Sequence, residues 1–355
     1  MNSEVLPQAG AIAATSARIA GAADVATLAA CAAAARDLAV ALHQEEAGAA
    51  LVTGVLSRFN DAIVVRLLDL LALRFRLPPT RWCWLGLGSE GRLEQTLTTD
   101  QDNGLVFSAS DDGEARRLRE LFLPFAREAN QALAECGFPL CDGEVMAGNP
   151  RWCLSQSEWL EGFTAWVRTP EPEALLNAAI FFDFRPLAGD DQLAAELRRA
   201  LSNLTRGNEI FLRMMTVNAL AAQPPLGRLR DFAIAAESGG AIDLKKFGSR
   251  IFVDAARILA LGAGIAATAT APRLRRVAAE GAMTSADADA AVHAFHALQG
   301  LRLAAQAGAA SAGQAPGNLL DPERLNQFDR RVLLEGLRQA RTLQQGLKTR
   351  YHIET

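Results

Sequence analysis

Residues 86–107 read Gly-Leu-Gly-Ser-Glu-Gly-Arg-Leu-Glu-Gln-Thr-Leu-Thr-Thr-Asp-Gln-Asp-Asn-Gly-Leu-Val-Phe, and this stretch decides the fold of the region that carries the chemistry. The apolar run 82–87 predicts a strand, and the Gly88-Ser89 turn after it opens a short helix over residues 89–97. Backbone amides at such a glycine-rich helix start hold phosphate oxygens. The turn therefore predicts a phosphate site.

Two aspartates follow in the same stretch. Asp100 and Asp102 lead into a second apolar strand over residues 102–107, and alternate residues of an extended chain point the same way. The Asp-x-Asp therefore presents two carboxylates on one face, and carboxylate oxygens are the ligands that Mg²⁺ prefers. A phosphate cradle beside paired carboxylates is what a divalent metal and a nucleoside triphosphate require together.

Composition excludes several classes of protein. The 355 residues carry a formal net charge of −4, which disfavours broad nucleic-acid binding. The five cysteines form no Cys-x-x-Cys pair and indicate reduced thiols in a cytoplasmic protein. Uninterrupted apolar runs are too short for a membrane span, and a leucine-rich signal core is missing from the alanine-rich start. We therefore expect neither a membrane association nor export.

The first part of the chain predicts a helical hairpin. Residues 1–22 are weakly patterned, and we expect them to fray. Residues 24–43 and 50–75 place apolar side chains at helical spacing, which predicts two long amphipathic helices. The Pro78-Pro79 pair ends the second helix, because proline lacks the amide that continues a helix. We expect these helices to be able to form a homodimer contact.

The rest of the chain divides into an α/β unit and a helical part. A helix over residues 114–136 and a third strand over 139–147 complete the small α/β unit. From residue 155 onward the pattern predicts helices without strands, among them a helix over 229–236. The sequence thus predicts an α+β protein. Its predicted divisions are a helical region at 1–79, a core at 80–153 and a helical domain at 154–355.

Further motifs accompany residues 86–107, and together they resemble a known family. The matching segments are 88–92, 94–95, 99–103, 141–150, 152–153, 180–187, 189–190, 243–246, 256–261, 273–274 and 301–302. The chain resembles the nucleotidyltransferase superfamily of DNA polymerase beta, and more closely the DUF294 group related to the protein-PII uridylyltransferase. The resemblance covers residues 50–350. It implies a small polymerase-beta-like core, flanked by the N-terminal hairpin and by an all-helical substrate-binding domain.

The resemblance also implies a reaction. An acceptor group would attack the α-phosphorus of a nucleoside triphosphate, and pyrophosphate would leave. Asp100 and Asp102 would hold two Mg²⁺ ions, one at the acceptor oxygen and one at the triphosphate. Gly88 and Ser89 would bind the β- and γ-phosphates. Arg92 would neutralise the leaving pyrophosphate, or else form a surface salt bridge with a neighbouring glutamate.

The superfamily usually has a third catalytic carboxylate on a later strand. Asp142 and Glu144 are the candidates here, because both could face the metals from the predicted strand over 139–147. Glu144 is the preferred candidate. The alternative is a solvent-facing turn at Asp142-Gly143, in which case the base would be water or a group on the acceptor.

The helical part contributes further candidates for nucleotide binding. The resemblance places Asp183 and Arg185 in the helical domain, facing the nucleotide, and they could also pair with each other. Lys245 and Lys246 begin a basic cluster that could meet the triphosphate or an acidic acceptor. The alternative for this cluster is a solvated helix face.

Three functions remain open at this point. The first is Mg²⁺-dependent transfer of a nucleoside monophosphate to a protein hydroxyl, as in PII-type uridylylation for signal transduction. The second is transfer to a small molecule such as an antibiotic. The third is a nucleotide-sensing module whose catalytic site has lost its activity. Retention of both Gly88-Ser89 and Asp100-x-Asp102 favours the enzymes over the sensor.

Overall fold

The structure is a computed structural model that describes residues 8–227, 232 and 240–353. The chain divides into two compact units, one formed by Met1–Thr164 with Ile180–Leu201 and the other by Ala165–Ala179 with Ser202–Thr355. Strands and helices are both present in the combination that the α+β prediction requires, so the fold class is confirmed. The predicted divisions at residues 79 and 153 stay predictions.

The first unit begins with three helices. They are α1 (Ala9–Ala20), α2 (Val25–Gln44) and α3 (Ala49–Ala72). The predicted hairpin corresponds to α2 and α3, and Asp24 caps α2 by accepting a hydrogen bond from the Thr27 amide at 2.8 Å. The expected fraying of residues 1–22 is wrong for α1, because Ile19 and Ala22 are buried where the small residues of α1 allow close packing on α2 and α3.

Helix α2 is long and apolar enough to cross a membrane by length and composition, with a mean hydropathy of 1.7. It is the one helix of this kind among the residues that the structure describes. The side chains Leu28, Ala35 and Leu42 are nevertheless fully buried in the unit. Core helices of water-soluble folds meet the same criteria, so the feature does not by itself indicate a membrane.

A mixed four-stranded sheet forms the centre of the first unit. Its strands are β1 (Trp82–Gly86), β2 (Asn103–Phe107), β3 (Cys153–Ser155) and β4 (Arg185–Gly189), in the order β3-β2-β1-β4. Strand β1 runs antiparallel to β2 and to β4, and β2 runs parallel to β3. The first two predicted strands are confirmed.

Two predictions about strands are wrong. Residues 139–147 form turns rather than a strand, and the short β3 pairs with β2 instead. Strands also continue beyond residue 155, because β4 joins the sheet and β5 (Ile242–Asp243) pairs with β6 (Leu319–Leu320) in the second unit. Strand β4 contains Pro186, which a strand tolerates at the edge of a sheet where its missing amide faces no partner.

Aromatic side chains pack helices on both faces of the sheet. On one face, Phe122 of α5 (Asp112–Glu135) lies 5.3 Å from Phe107 and 6.3 Å from Trp82 between ring centroids. On the other face, the indole of Trp159 in α6 (Gln156–Arg168) packs over Gly104, where a Cβ would come within 3.0 Å of the ring. Strands β1 and β2 are almost wholly buried between these helices, which explains their almost continuous apolar sequence.

Helices dominate the second unit. They include α9 (Glu209–Ala219), a π-helical turn (Lys245–Ser249), α10 (Arg250–Ala263), α11 (Thr270–Ala279), α12 (Ser285–Ser311), a 3₁₀ turn (Pro322–Arg324) and α13 (Gln327–Arg350). The helices α7 (Pro172–Phe181) and α8 (Asp191–Thr205), like α6, have residues in both units. Helix α10 packs against α9, α11 and α13. Except for residue 232, the helix predicted over 229–236 lies outside the described residues.

Gly91 is expected to be indispensable for folding. A Cβ on Gly91 would lie 1.7 Å from the carbonyl oxygen of Asp183, and backbone cannot retreat as a flexible side chain can. We expect Gly91→Ala to lower the free energy of unfolding, measured by urea denaturation, by about 3 kcal/mol or more. The matched control is Gly54→Ala in α3, where a Cβ meets no atom within 4 Å.

Gly54→Ala should raise the free energy of unfolding by up to about 1 kcal/mol, because alanine has the higher helix propensity. Equal stability of the two variants would contradict the close approach of Gly91 to Asp183.

Candidate active site

Strand pairing brings the two halves of the stretch 86–107 together. Gly86 at the end of β1 is the register partner of Asn103 at the start of β2. Immediately beyond this pair, the Leu87 amide donates a hydrogen bond to the Asp102 carbonyl oxygen at 2.9 Å. The glycine turn and the aspartates therefore meet at one end of the antiparallel pair, although they are well separated in sequence.

Gly88 makes this close approach possible. Its φ of 52° is in the left-handed region, which glycine adopts at little cost. A Cβ at this position would lie 2.9 Å from Oδ2 of Asp102. The left-handed backbone at residue 88 therefore favours glycine, and any larger residue there would have to displace the Asp102 carboxylate.

The helix after this turn is shorter than predicted. Helix α4 covers Gly88–Gly91, whereas the sequence predicted a helix over 89–97. The chain reverses at Leu93, whose φ is 60°, and the Glu94 amide donates back to the Ser89 carbonyl at 2.9 Å. Amides in the first turn of a helix have no intrahelical acceptor, so those of Gly88 and Ser89 can bind an anion.

Three possible metal ligands lie together beside this turn. One carboxylate oxygen each of Asp100 and Asp102 and the Sγ of Cys141 are all within 4.8 Å of one another. The Cys141 thiol donates to Oδ1 of Asp102 at 3.5 Å, and burial, followed by the charges of Asp102 and Asp100, raises the thiol's pKa. The predicted convergence of the two carboxylates is present, and this donor set could hold a divalent cation.

Glu144 is not part of this ligand group. It is an exposed residue at φ 54° in the turn that replaces the predicted strand. Together with Arg127, Asn130 and Asn149 it lines a neighbouring cavity of about 440 Å³. Asp142 is also exposed, so the solvent-facing turn that the sequence left open is the arrangement present, and Cys141 is the third group beside the aspartates.

Arg92 lies between two carboxylates. Its Nε donates to Oε2 of Glu94 and its Nη1 to Oδ2 of Asp183, both at 2.8 Å. The Arg92 side chain is 12 % exposed and that of Asp183 is fully buried, so this is an interior ion pair rather than a surface one. The salt bridge with Glu94 that the sequence offered as an alternative is present, and the contact with pyrophosphate stays a prediction.

Asp183 and Arg185 belong to the first unit, and Arg185 lies in its sheet rather than in a helical domain. The Nη2 of Arg185 donates to both carboxylate oxygens of Asp61, at 2.8 and 2.9 Å, and to the Glu90 carbonyl at 3.0 Å. Asp183 is paired with Arg92 and Arg185 with Asp61, so the suggested pair between them is not the one formed. Their predicted role in nucleotide binding remains untested.

Polar side chains of helix α3, which the sequence analysis missed, are hydrogen-bonded to the segment that follows α4. The Gln95 amide donates to the Ser57 hydroxyl at 3.1 Å, and the Asn60 side-chain amide donates to Oε1 of Gln95 at 3.0 Å. Ser57, Asn60 and Asp61 have the spacing i, i+3, i+4, so they form a polar stripe along one side of the helix. This polar stripe is the sequence signal from which the supporting role of α3 could have been predicted.

Glu90 is a second residue that the sequence analysis did not single out. Its side chain is buried beneath the turn, and a Cβ on Gly86 would come within 3.0 Å of its carboxylate. Burial, and then the nearby charges of Asp61 and Asp102, raise the pKa of Glu90 to about 8 against the opposing effect of Arg185. A neutral acid at this position avoids a buried charge near the aspartates.

Lys245 and Lys246 lie in the second unit. Both are exposed at the start of the π-helical turn, where the Lys246 amide donates to Oδ1 of Asp243 at 2.9 Å. Their predicted contact with a nucleotide or an acidic acceptor stays a prediction.

A turn whose amides can bind phosphate, beside a carboxylate pair on a small mixed sheet, is the arrangement expected of a nucleotidyltransferase. Comparison with known families agrees, since residues 33–173 match the family described as "Putative nucleotidyltransferase DUF294". Residues 209–351 match its companion, "Putative nucleotidyltransferase substrate binding domain". The chain belongs to the DUF294 family, and this membership indicates nucleotidyl transfer in general, with a nucleotide as substrate. A search of curated proteins finds no match.

The raised pKa of Glu90 predicts a pH-dependent stability. The folded protein keeps a proton on Glu90 up to about pH 8, whereas the unfolded chain releases it near the ordinary value of 4.5. Unfolding therefore becomes easier as the pH rises through this window, because the folded state binds more protons. We expect Glu90→Gln, which stays neutral, to gain stability over the wild type progressively between pH 5 and pH 8.

The gain should reach a few kcal/mol above pH 8, because each pKa unit corresponds to about 1.4 kcal/mol. It is measured by urea denaturation at a series of pH values, with Glu120→Gln on the exposed face of α5 as the control. A Glu90→Gln gain that does not change with pH would contradict the neutral state of Glu90.

Proposed function

We propose that the protein transfers a nucleoside monophosphate from a nucleoside triphosphate to an acceptor hydroxyl, with a divalent metal held by Asp100 and Asp102. The observation that carries this proposal is the close approach of the Gly88 turn to the Asp102 carboxylate. It puts amides that can bind phosphate next to oxygens that can bind metal. The two requirements of triphosphate chemistry are thus met within one short stretch of chain.

Each group of residues has a separate role in the proposed reaction. Asp100 and Asp102 bind the cation, which when bound supplies positive charge at the reacting phosphate. The amides of Gly88 and Ser89 bind oxygens of the outer phosphates. Arg92, held by Glu94 and Asp183, fixes the chain just after α4 and keeps positive charge near the leaving group.

Bond making and breaking balance without a further cofactor. The acceptor oxygen forms a bond to the α-phosphorus, and the bond from that phosphorus to the pyrophosphate oxygen breaks. The hydroxyl proton leaves to water, since the ligand group contains no third carboxylate. This makes a water-mediated proton loss the simplest route for the residues present.

Charge favours an acidic acceptor over a cationic one. The substrate-binding region, residues 209–351, contains 18 Lys and Arg against 12 Asp and Glu, a formal net charge of +6, whereas the whole chain has −4. A basic region attracts nucleotides and acidic protein surfaces and repels cationic small molecules such as many antibiotics. We therefore propose a protein hydroxyl as acceptor, by analogy with PII-type uridylylation, and Mg²⁺ as the ion that accompanies the triphosphate.

Loss of either aspartate should abolish transfer. The assay incubates the full chain with each of the four α-labelled nucleoside triphosphates, Mg²⁺ or Mn²⁺, and either a cell extract or a cationic antibiotic mixture. We expect label on a protein band, and a fall of at least about 100-fold in Asp100→Asn and Asp102→Asn, the scale of losing a group that stabilises transition-state charge. The matched control is Asp69→Asn, an exposed carboxylate on α3.

Label that appears on the antibiotic instead would favour the small-molecule alternative. Nucleotide binding that persists in calorimetry without any transfer, by the wild type with either metal, would contradict the enzyme and favour a sensing module.

A further inference from the structure

A cavity of about 450 Å³ lies within the second unit, where α9 and α10 meet the end of α13. Its walls come from the start of α9, from Gly262 of α10 and from residues 350–352. Cavities of this size are large enough for a small-molecule ligand. The cavity belongs entirely to the region that matches the substrate-binding family model and the residue after it.

The walls of this cavity carry more cationic than anionic side chains. Arg213, Arg350 and His352 line it, against Glu209 as the one carboxylate among the described lining residues. Within the described part of the chain, neither Arg213, Arg350 nor His352 forms an ion pair. Guanidinium groups that face a cavity without a carboxylate partner attract an anionic ligand.

Tyr351 adds a buried hydrogen-bond donor to the same cavity. Its side chain is 7 % exposed, and its hydroxyl lies 3.3 Å from the point where a Cβ on Gly262 would be. Burial raises the pKa of the Tyr351 phenol, although the Arg350 guanidinium opposes this, so the hydroxyl keeps its proton at neutral pH. Among the described residues this hydroxyl donates no hydrogen bond. Buried donors nearly always have an acceptor, and a ligand in the cavity would supply one.

We propose that this cavity binds the phosphate group of a nucleotide, through the guanidinium groups of Arg213 and Arg350 and the hydroxyl of Tyr351. The planar guanidinium donates two parallel hydrogen bonds to phosphate oxygens, which makes arginine well suited to this anion. Phosphate oxygens also accept the hydrogen bond that the Tyr351 hydroxyl leaves unused. Glycine at residue 262 keeps this wall open, because a Cβ there would come within 3.0 Å of Leu212.

A second cavity favours a nucleotide over inorganic phosphate. It measures about 220 Å³, lies in the same unit and is also lined by Arg350. Its walls include Leu259, Leu343 and Leu347, each less than a tenth exposed. A ligand whose phosphate meets Arg350 can therefore place a flat ring system against aliphatic side chains. This binding does not depend on the proposed transfer reaction.

The single tyrosine of the chain provides a test that reports on this cavity alone. Replacement of tyrosine by 3-fluorotyrosine gives one ¹⁹F resonance, that of residue 351. The full chain in EDTA is titrated at constant ionic strength with each of the four nucleoside monophosphates, with pyrophosphate and with inorganic phosphate. We expect a saturable shift of the resonance, with at least one nucleoside monophosphate binding at least about tenfold more tightly than inorganic phosphate.

Variants connect the shift to the arginines. Arg213→Gln and Arg350→Gln should each weaken nucleotide affinity at least about tenfold, because each removes charge-assisted hydrogen bonds to phosphate. The matched control is Arg331→Gln, an exposed cation near the start of α13, which should bind like the wild type. Circular dichroism identifies a variant that fails to fold. Since Arg213 is exposed, Arg213→Gln decides the question if Arg350→Gln does not fold.

The outcomes separate this proposal from the proposed function. A resonance that no probe shifts, or affinity that is unchanged in Arg213→Gln, would overturn the proposal. Inorganic phosphate that binds as tightly as every nucleotide would also overturn it. We expect the shift to persist in Asp102→Asn, and its loss there would show that it arises from nucleotide bound at the aspartates. Loss or retention of transfer in the aspartate variants tests the proposed function independently.

Discussion

The close approach of Gly88 to Asp102 is the contact on which the candidate site depends. Antiparallel pairing of β1 with β2 brings the two residues to one end of the sheet, and the hydrogen bond from the Leu87 amide to the Asp102 carbonyl fixes them there. A side chain at residue 88 would collide with the carboxylate. A single glycine thus allows a turn whose amides can bind phosphate and a carboxylate that can bind a metal to occupy adjacent positions.

Polar groups of helix α3 and strand β4 stabilise the segment that contains this contact. Helix α3 is bonded to Gln95 through Ser57 and Asn60, and its Asp61 binds Arg185 of β4. Arg185 in turn holds the carbonyl of Glu90 in α4. The N-terminal helices are therefore part of the scaffold of the site and share the first unit with it. Substitutions on the polar stripe of α3 should be considered as changes to the site.

The sequence was sufficient for the features that local patterns determine. Apolar runs identified β1 and β2, helical spacing identified α2, α3 and α5, and the glycine turn with Asp100 and Asp102 identified the candidate site. Features that depend on pairing between segments far apart in the chain could not be predicted from the sequence. Strand β4 is short, contains Pro186 and joins the sheet from far downstream. Glu144 was the preferred third catalytic carboxylate because the resemblance implies one on a later strand and residues 139–147 were predicted as that strand. The actual turn exposes Glu144 and brings Cys141 to the aspartates.

The most direct test of the central claim is a crystal structure of the full chain with Mn²⁺ and a non-hydrolysable nucleoside triphosphate, with the metal located by its anomalous scattering. The proposed site predicts Mn²⁺ bound to the carboxylates of Asp100 and Asp102, and phosphate oxygens at the amides of Gly88 and Ser89. A nucleotide bound elsewhere, with neither aspartate coordinating the metal, would contradict the claim that the glycine turn and the Asp-x-Asp form one active site.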